Sequence, residues 1–581
     1  LHLHHLFLGL TPHAARGEMP ARGYVECSAT LGAAAAAGWA YLAEGGAHLV
    51  LERRDVADDD PNVAGRVLRL RKAKTGTSSS GEDVARDGAR DGTLETCSNA
   101  LTDASLWASH PGFEDANSVE DRSWAFAHHV MRPLLGGRFV DPGAFAPVDR
   151  EFLRAVADAV EPARPSARRA RSGIDLAATR AALVPDANRV DRAFGAERRR
   201  GVGAAEDWFS VEIKPKCGFA LPGDPKGTSR FAMHQALRVR RGEVRRASAY
   251  DPLDLFAGCD EETGEETNPR TRATSESERK KKSRRALSAL AAAPRNNLRV
   301  ARRGRRWPES DSNESLDTRA WTESLDAFVQ ETDRNLDVDV RLGGASGLLD
   351  LVDDALRQSG VLAFVLRAQR RDAVGAETAA RLWRRLSAHE LESREEPPAT
   401  REEPPATRST KSNEIETSSF HGDAEAVEKT RRTLRDFVIA AVAKDCSVLV
   451  AMRGARDDDA FSDDDDGTFA LTSTAAEGGT SVRYRCRVSV VDVDLKPIAN
   501  MPKWLATHRE IAENWGKLLR KKTLCRMYCE KKQSLKALSL SARNRRPVPT
   551  FERRALERHS SISHFNESDW SALESKSKLR V

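Results

Sequence analysis

Between Gly38 and Arg54 the chain reads GWAYLAEGGAHLVLERR, two apolar runs parted by Gly45 and Gly46, and GRVLRLRKAK follows with apolar and basic residues in alternation. A period of two predicts strands with one buried face, and a glycine pair between them predicts a turn whose backbone N–H groups can face a phosphate. The pattern turns helical in SWAFAHHVMRPLLGGRFVDPG and REFLRAVADAVEPARP, where proline and glycine supply the stops. It is helical again in SRFAMHQALRVRRGEV, with Phe231, Ala232, Ala236 and Leu237 at helical spacing, and in SGLLDLVDDALRQSGVLAFVLRAQRRD. YDPLDLFAGC reads as a turn and an apolar patch. TLRDFVIAAVAKDCSVLVAMRG predicts a helix running into a buried strand, and VRYRCRVSVVDVDLKP a neighbouring strand beyond a hairpin insertion.

Polar stretches cut this pattern. Residues from Lys74 to about Asn99 are Gly, Ser, Thr and charge; 260–286 is a charged, unstructured stretch ending in RKKKSRR; 392–420 holds the repeat REEPPATREEPPATR; 456–467 is the acidic run RDDDAFSDDDDG. None carries core-forming periodicity. The expected organisation is an N-terminal extension (1–35), a first lobe (36–190), a second lobe carrying the insertions (191–519) and a basic mobile tail (520–581). The fold class is α/β in the α+β sense.

Composition sharpens this only in part. Of 581 residues, 40% are hydrophobic and 31% charged, as expected for an ordinary core diluted by insertions. The 93 basic and 87 acidic residues nearly cancel, so blocks of charge matter more than the net +6. Eight scattered cysteines without a CxxC pair suit a reducing compartment. No apolar run reaches the roughly 20 residues of a membrane span, so no membrane partner is expected and the expected location is cytoplasmic, nuclear or both. The chain starts at Leu1 and its first methionine is Met19, so LHLHHLFLGL carries no functional weight. The runs RKKKSRR and RRGRR are read as solvated loops rather than import or RNA signals, and no nucleic-acid partner is expected.

Four places concentrate polar groups at the edges of apolar strands. In EGGAH, the backbone around Gly45 and Gly46 can face a phosphate that Arg69 on the next strand reaches, although such a turn is more often merely structural. In SVEIKPKCGF, Lys214 and Lys216 stand two apart, on one face of a strand, with Glu212 beside them. Two unpaired buried ammoniums are too costly, so that face meets solvent or an anion; the competing reading is an edge strand guarded by lysines. Cys217 reads as a small core residue. In AKDCSVLV, Asp445 stands at the mouth of an apolar strand, where a carboxylate can take a hydroxyl proton or simply end a helix. In VVDVDLKP, Asp492 and Asp494 alternate at a strand end, the placement by which phosphoryl-transfer sites hold Mg²⁺.

Taken together, EGGAHLVL, GRVLRLRKA, VMRPLLGGRFVDPG, VEIKPKCGF, SRFAMHQALR, YDPLDLFAG, PRNNLRV, LRDFVIAAVAKDCSVLV and VVDVDLKPI resemble the inositol-pentakisphosphate 2-kinase family, in that family's order. The resemblance spans residues 38 to about 515. It implies a two-lobed, distantly protein-kinase-like fold and transfer of the γ-phosphate of ATP to the axial 2-hydroxyl of inositol 1,3,4,5,6-pentakisphosphate, giving inositol hexakisphosphate. Carried onto this chain, Gly45, Gly46, Ala47 and Arg69 would embrace ATP, with the adenine hinge near Asp186. Arg168, Lys214, Lys216, Arg238, Asn296, Asn297 and Lys496 would bind substrate phosphates or hydroxyls. Asp445 resembles the general base, and Asp492 a magnesium ligand with Asp494 beside it, either of which can be the principal one.

Physical chemistry agrees with a crowded cationic site. At ~1.5 to 2 charges per phosphate, five phosphates bring roughly 8 to 10 negative charges, so cations from several segments are required. Departures from the family pattern are His48 where asparagine is usual, and Asn500 and Trp504 where basic and tyrosine residues are usual; Lys503 or Arg509 are the candidate substitutes. His389 and His421 lack the cysteines of a zinc site. The competing functions are another inositol-polyphosphate kinase and a catalytically weak inositol-phosphate scaffold. A monomer is expected.

Overall fold

The computed structural model describes residues 31–53, 65–74, 101–190, 208–221, 223–259, 275–307, 318–335, 342–395, 423–455, 468–474 and 481–543. Of the expected insertions, 456–467 lies outside these residues, as do 75–99 of the first and 396–420 of the third, whereas Lys74 ends a strand and 392–395 end a helix; 1–30 and 544–581 also lie outside.

Two six-stranded antiparallel sheets, each backed by helices, organise the chain in an α+β arrangement. The first contains β1 (Trp39–Glu44), β2 (His48–Arg53), β3 (Arg66–Lys74), β4 (Ala144–Pro147), β5 (Ser172–Ile174) and β6 (Arg180–Pro185). Its order is β1-β2-β3-β6-β4, with β5 also on β3. The second contains β7 (Trp208–Ile213), β8 (Leu298–Arg302), β9 (Arg305–Trp307), β10 (Ser447–Gly454), β11 (Thr468–Thr474) and β12 (Ser481–Val491), in the order β11-β12-β10-β7-β8-β9.

The helices are α1 (Asp103–Trp107), α2 (Val119–Ala125), α3 (Arg132–Leu135), α4 (Arg150–Val160), α5 (Ser166–Arg169), α6 (Arg230–Arg240), α7 (Pro252–Leu255), α8 (Glu276–Ala292), α9 (Thr318–Asn335), α10 (Ala345–Ser359), α11 (Val361–Gln369), α12 (Gly375–Glu395), α13 (Ala424–Ala443) and α14 (Met501–Arg543). A π-turn, Phe126–Met131, joins α2 to α3. Side-chain caps set several starts: Asp149 accepts from Phe152 N, Ser229 from Ala232 N and Asp423 from Ala426 N. In α4, Phe152, Leu153, Val156 and Val160 fall on one face and pack beneath the first sheet.

The described residues bury two large hydrophobic cores, with small satellite clusters at Val190, Leu449 and Ala451 and at Met233, Leu237 and Ile511. The smaller of the two holds β1–β3, β6 and α4. The larger holds the second sheet with α8–α13, and it also takes Trp107, Phe126, Met131, Leu135, Phe139 and Val140. Residues 101–140 place much of their apolar surface in the second core, with α3 packed on α11, while α2 also reaches the first sheet through Trp124 on Phe145 and Asp121 with Arg180 at 2.8 Å.

Two expectations are corrected. The run RKKKSRR, expected in an unstructured stretch, lies in α8, where the acidic face of α10 neutralises it: Lys280 pairs with Asp354 at 3.2 Å, Arg284 with Asp350, and Arg285 with Asp254 of α7 at 2.6 Å. The tail expected from residue 520 begins as helix, since α14 continues through Arg543.

Candidate active site

Antiparallel register brings the important segments to one rim. Val448 of β10 stands opposite Ile213, the last residue of β7; Ser447 stands opposite Val491, the last of β12; Leu298, the first of β8, also stands opposite Ile213. The residues that leave these ends are therefore neighbours: Lys214 to Lys216 after β7, Asp445 before β10, Asp492 to Lys496 after β12, and Asn296 and Asn297 before β8. Chain distances of more than two hundred residues collapse to single contacts.

At this rim each carboxylate meets a cation. Lys214 Nζ donates to Asp492 Oδ2 at 2.9 Å, Lys216 Nζ to Asp445 Oδ1 at 3.0 Å, and Lys496 Nζ to Asp445 Oδ2 at 2.9 Å. Lys496 also caps the end of α13 through Ala441 O at 3.2 Å. Burial pushes the Asp445 carboxyl up, but Lys216 and Lys496 outweigh it and hold the group well below the usual carboxylate range. Burial pulls Lys216 down, helped by Lys214 and Lys496 and only partly offset by Asp445. For Lys214 the attraction of Asp492 outweighs burial, and its pKa is raised.

The strand reasoning behind two of these residue pairs is corrected. β7 ends at Ile213 and β12 at Val491, so Lys214 with Lys216 and Asp492 with Asp494 lie beyond their strands and alternate on none. Lys216 and Asp492 both have φ of +61°, the left-handed region that costs a non-glycine residue about 1 kcal/mol or more. Those turns, not strand alternation, deliver the side chains to the rim. Pro215 sits between, its carbonyl accepting from buried Tyr250 Oη at 2.7 Å.

The first sheet reaches the same place through β3. Arg69 grips Asp494 with both terminal nitrogens, at 2.6 and 3.4 Å. Burial pushes Asp494 up, yet Arg69 and His48 bring its pKa below the ordinary value. Burial and Arg69 lower the His48 pKa against the opposing pull of Asp494, and its Nδ1 lies 3.1 Å from an Arg69 terminal nitrogen, which can only donate. The turn at Gly45 and Gly46 joins β1 to β2, closed by Gly45 N donating to His48 O at 2.9 Å, with Lys72 N donating to Ala47 O at 2.9 Å.

That turn is rooted in a buried ion cluster. Glu44 Oε2 meets Lys72 at 2.7 Å and Arg164 at 3.0 Å with side chains 2%, 4% and 0% exposed, and Lys72 also bonds Gly45 O at 2.8 Å. Removing one partner of a buried pair leaves charge uncompensated, so Glu44→Gln is expected to cost about 3 kcal/mol of stability, read by denaturant unfolding; a loss under about 0.5 kcal/mol excludes the cluster as the anchor. Burial pushes Glu44 up, but Arg164 and Lys72 outweigh it and its pKa is lowered. Its contribution is therefore present at neutral pH and lost as pH falls below the ordinary glutamate range, so acid should destabilise the wild type more than the Gln variant.

Other expected residues lie differently. Asn297 is buried with its Oδ1 unpartnered, and its carbonyl accepts from Lys214 N at 2.8 Å, whereas Asn296 is exposed beside it. Arg238 on α6 bonds Glu243 at 3.0 Å. Arg168 is exposed on α5. Asp186 follows β6; its carboxylate is taken up by Asn188 N and Arg189 Nε, both at 3.0 Å, its N–H donates to Gly65 O at 2.9 Å, and its carbonyl accepts from Arg189 N at 3.1 Å. Trp504 packs on Phe437, and Arg509 is held by both oxygens of Glu377 at 2.8 Å, so neither faces the carboxylates. Cys217 is buried with its thiol pushed up by burial, as a core residue should be.

Several participants were missed. Ser447 Oγ donates to Glu212 at 2.7 Å and lies 3.2 Å from Asp492 Oδ2. Ser123 of α2 hydrogen-bonds Asp494, and His234 of α6 lies within electrostatic reach of Arg238 and Lys216. His234 was legible in part, one turn before Arg238 on the same helix face; Ser123 was not, since nothing in its segment signals a contact 371 positions away.

The donor set suits a hard divalent cation. Among the described residues no three His, Cys, Asp or Glu side chains converge as a closed metal cage. A magnesium ion at Asp492 and Asp494 would complete its shell with phosphate oxygens and water, its usual habit.

Comparison with known sequences agrees with this chemistry. The family model described as inositol-pentakisphosphate 2-kinase matches residues 41–510. A protein of Arabidopsis thaliana named inositol-pentakisphosphate 2-kinase is 28% identical over 490 residues, 82% of this chain and 92% of its own length. One of Oryza sativa subsp. indica, named inositol-pentakisphosphate 2-kinase IPK1, is 26% identical over 81% of this chain and 92% of its own. One of Danio rerio with the first name is 34% identical over 140 residues, 23% of this chain and 27% of its own.

Proposed function

The chain belongs to the inositol-pentakisphosphate 2-kinase family and is a phosphotransferase, and we propose that it moves the γ-phosphate of ATP to the 2-hydroxyl of inositol 1,3,4,5,6-pentakisphosphate, yielding inositol hexakisphosphate and ADP. The observation that carries this reading is Asp445 held between Lys216 and Lys496, beside Lys214–Asp492 and Arg69–Asp494.

Each lysine now neutralised by a carboxylate is a phosphate ligand in waiting. A substrate bringing roughly 8 to 10 negative charges outcompetes one aspartate for an ammonium. As Lys216 and Lys496 turn to phosphates, Asp445 loses the cations that hold its pKa down and becomes a better acceptor for the 2-hydroxyl proton. The base is thus activated by the substrate it serves. Lys214 leaving Asp492 likewise frees that carboxylate. Asp492 and Asp494 would hold magnesium, which neutralises charge on the nucleotide's β- and γ-phosphate oxygens. Arg69 and the Gly45–Ala47 turn would sit on the nucleotide side, and Arg238, Asn296, Asn297 and Arg168 around the inositol ring. Little covalent chemistry is left to the protein; positioning and neutralisation do the rest.

No helix among the described residues is long and apolar enough to cross a membrane. Purified protein given ATP, Mg²⁺ and the pentakisphosphate should form hexakisphosphate, resolved by anion-exchange chromatography. Binding without turnover would point instead to a scaffold, and turnover only on other inositol phosphates to a different kinase.

A further inference from the structure

Gln369 ends α11 with its side chain fully buried, and its amide uses both ends. Nε2 donates to Lys216 O at 2.7 Å and to Ala443 O at 3.1 Å, while Oε1 accepts from Gly218 N at 2.8 Å. Ala443 ends α13, two residues before Asp445. One side chain therefore ties the loop that carries Lys216 to the turn that carries Asp445, and the two side chains meet at 3.0 Å.

The loop needs such a tie. A left-handed non-glycine residue persists only where its surroundings over-determine it. Here Tyr250 pins the carbonyl of residue 215, and Gln369 pins the carbonyl of 216 and the N–H of 218. Gly218 has no room for a side chain, since a Cβ there would meet the Phe256 ring at 2.4 Å. Glutamine is the fitting residue because the site asks for two N–H donors and one acceptor in a plane, which no carboxylate or thioether supplies.

We propose that Gln369 is a positioning residue for phosphoryl transfer, fixing Lys216 and Asp445 relative to one another without touching substrate. This rests on the roles given above to those two residues.

The test compares Gln369→Met, which keeps length and apolar volume but loses the donors and acceptor, with Gln369→Glu, which keeps an acceptor but turns a charge toward two carbonyls. For the Met variant kcat should fall about 10- to 100-fold, the scale of a misplacement near 1 Å, with KM for ATP nearly unchanged. The acid limb of its kcat/KM profile should move to higher pH, since a displaced Lys216 no longer holds Asp445 down. The Glu variant should be weaker still at neutral pH and recover on acidification, as a protonated carboxyl regains one donor. Wild-type turnover of the pentakisphosphate comes first: without it the proposed function falls and takes this proposal with it. With it, a Met variant that melts like wild type and keeps its kcat and acid limb overturns the role of Gln369 alone. Where the Met variant does not fold, a Glu variant whose activity fails to recover in acid does the same.

Discussion

Asp445→Asn is expected to lower turnover by about 10²- to 10⁴-fold, the range a positioned general base contributes. Binding of the pentakisphosphate should survive and even tighten, because the substitution removes the counter-charge that occupies Lys216 and Lys496 in the empty site. An acid acting mainly in binding would give the reverse, a large change in affinity with little in kcat. Single-turnover kinetics beside calorimetric titration of the substrate separate these outcomes. Turnover within tenfold of wild type would remove Asp445 as the base.

The second large effect concerns the two acids after β12. Asn at either Asp492 or Asp494 should cost several kcal/mol of transition-state stabilisation, at least about 10²-fold in kcat, and raise the magnesium concentration needed for half-maximal rate. The two differ in what each leaves behind. Asp494 neutralises Arg69, whose side chain is 24% exposed, so its loss should also reduce stability, by about 1–2 kcal/mol for a pair open to solvent on one side. Asp492 is 54% exposed, and its loss should leave melting nearly unchanged. A variant at either position with normal rate and normal magnesium dependence would exclude it as a ligand.

Much of this site was legible because its chemistry sits in short segments flanked by strong strand and helix patterns. The buried run of β10 pointed to Asp445 at its mouth, and the alternation of β12 pointed to the acids at its end. The same alternation misled where it was extended past Ile213 and Val491, because a left-handed turn at Lys216 or Asp492 leaves no trace in a hydrophobic pattern. Period two cannot report where a strand stops one residue early. Ser123 and Gln369 were illegible for another reason: each acts through partners distant in sequence, and a polar residue on a helix looks alike whether it bonds a loop or faces water. In α8, a run of basic residues reads as solvated until the acids of α10 are placed opposite it.

The division of the two cores sets which part of the molecule can move as a unit. Helix α2 carries Ser123 to Asp494 and Glu120 to Arg71, yet its continuation through Phe126, Met131 and Leu135 is anchored with the second sheet. If the glycine turn closes over the nucleotide proposed for it, β1–β6 with α4, which share a core of their own, form the body that would move against the second sheet. Arg69–Asp494, Arg71–Glu120 and Arg180–Asp121 are the ion pairs such a motion would have to open, and amide exchange in the unliganded protein should then run faster along β1–β3 than along α2.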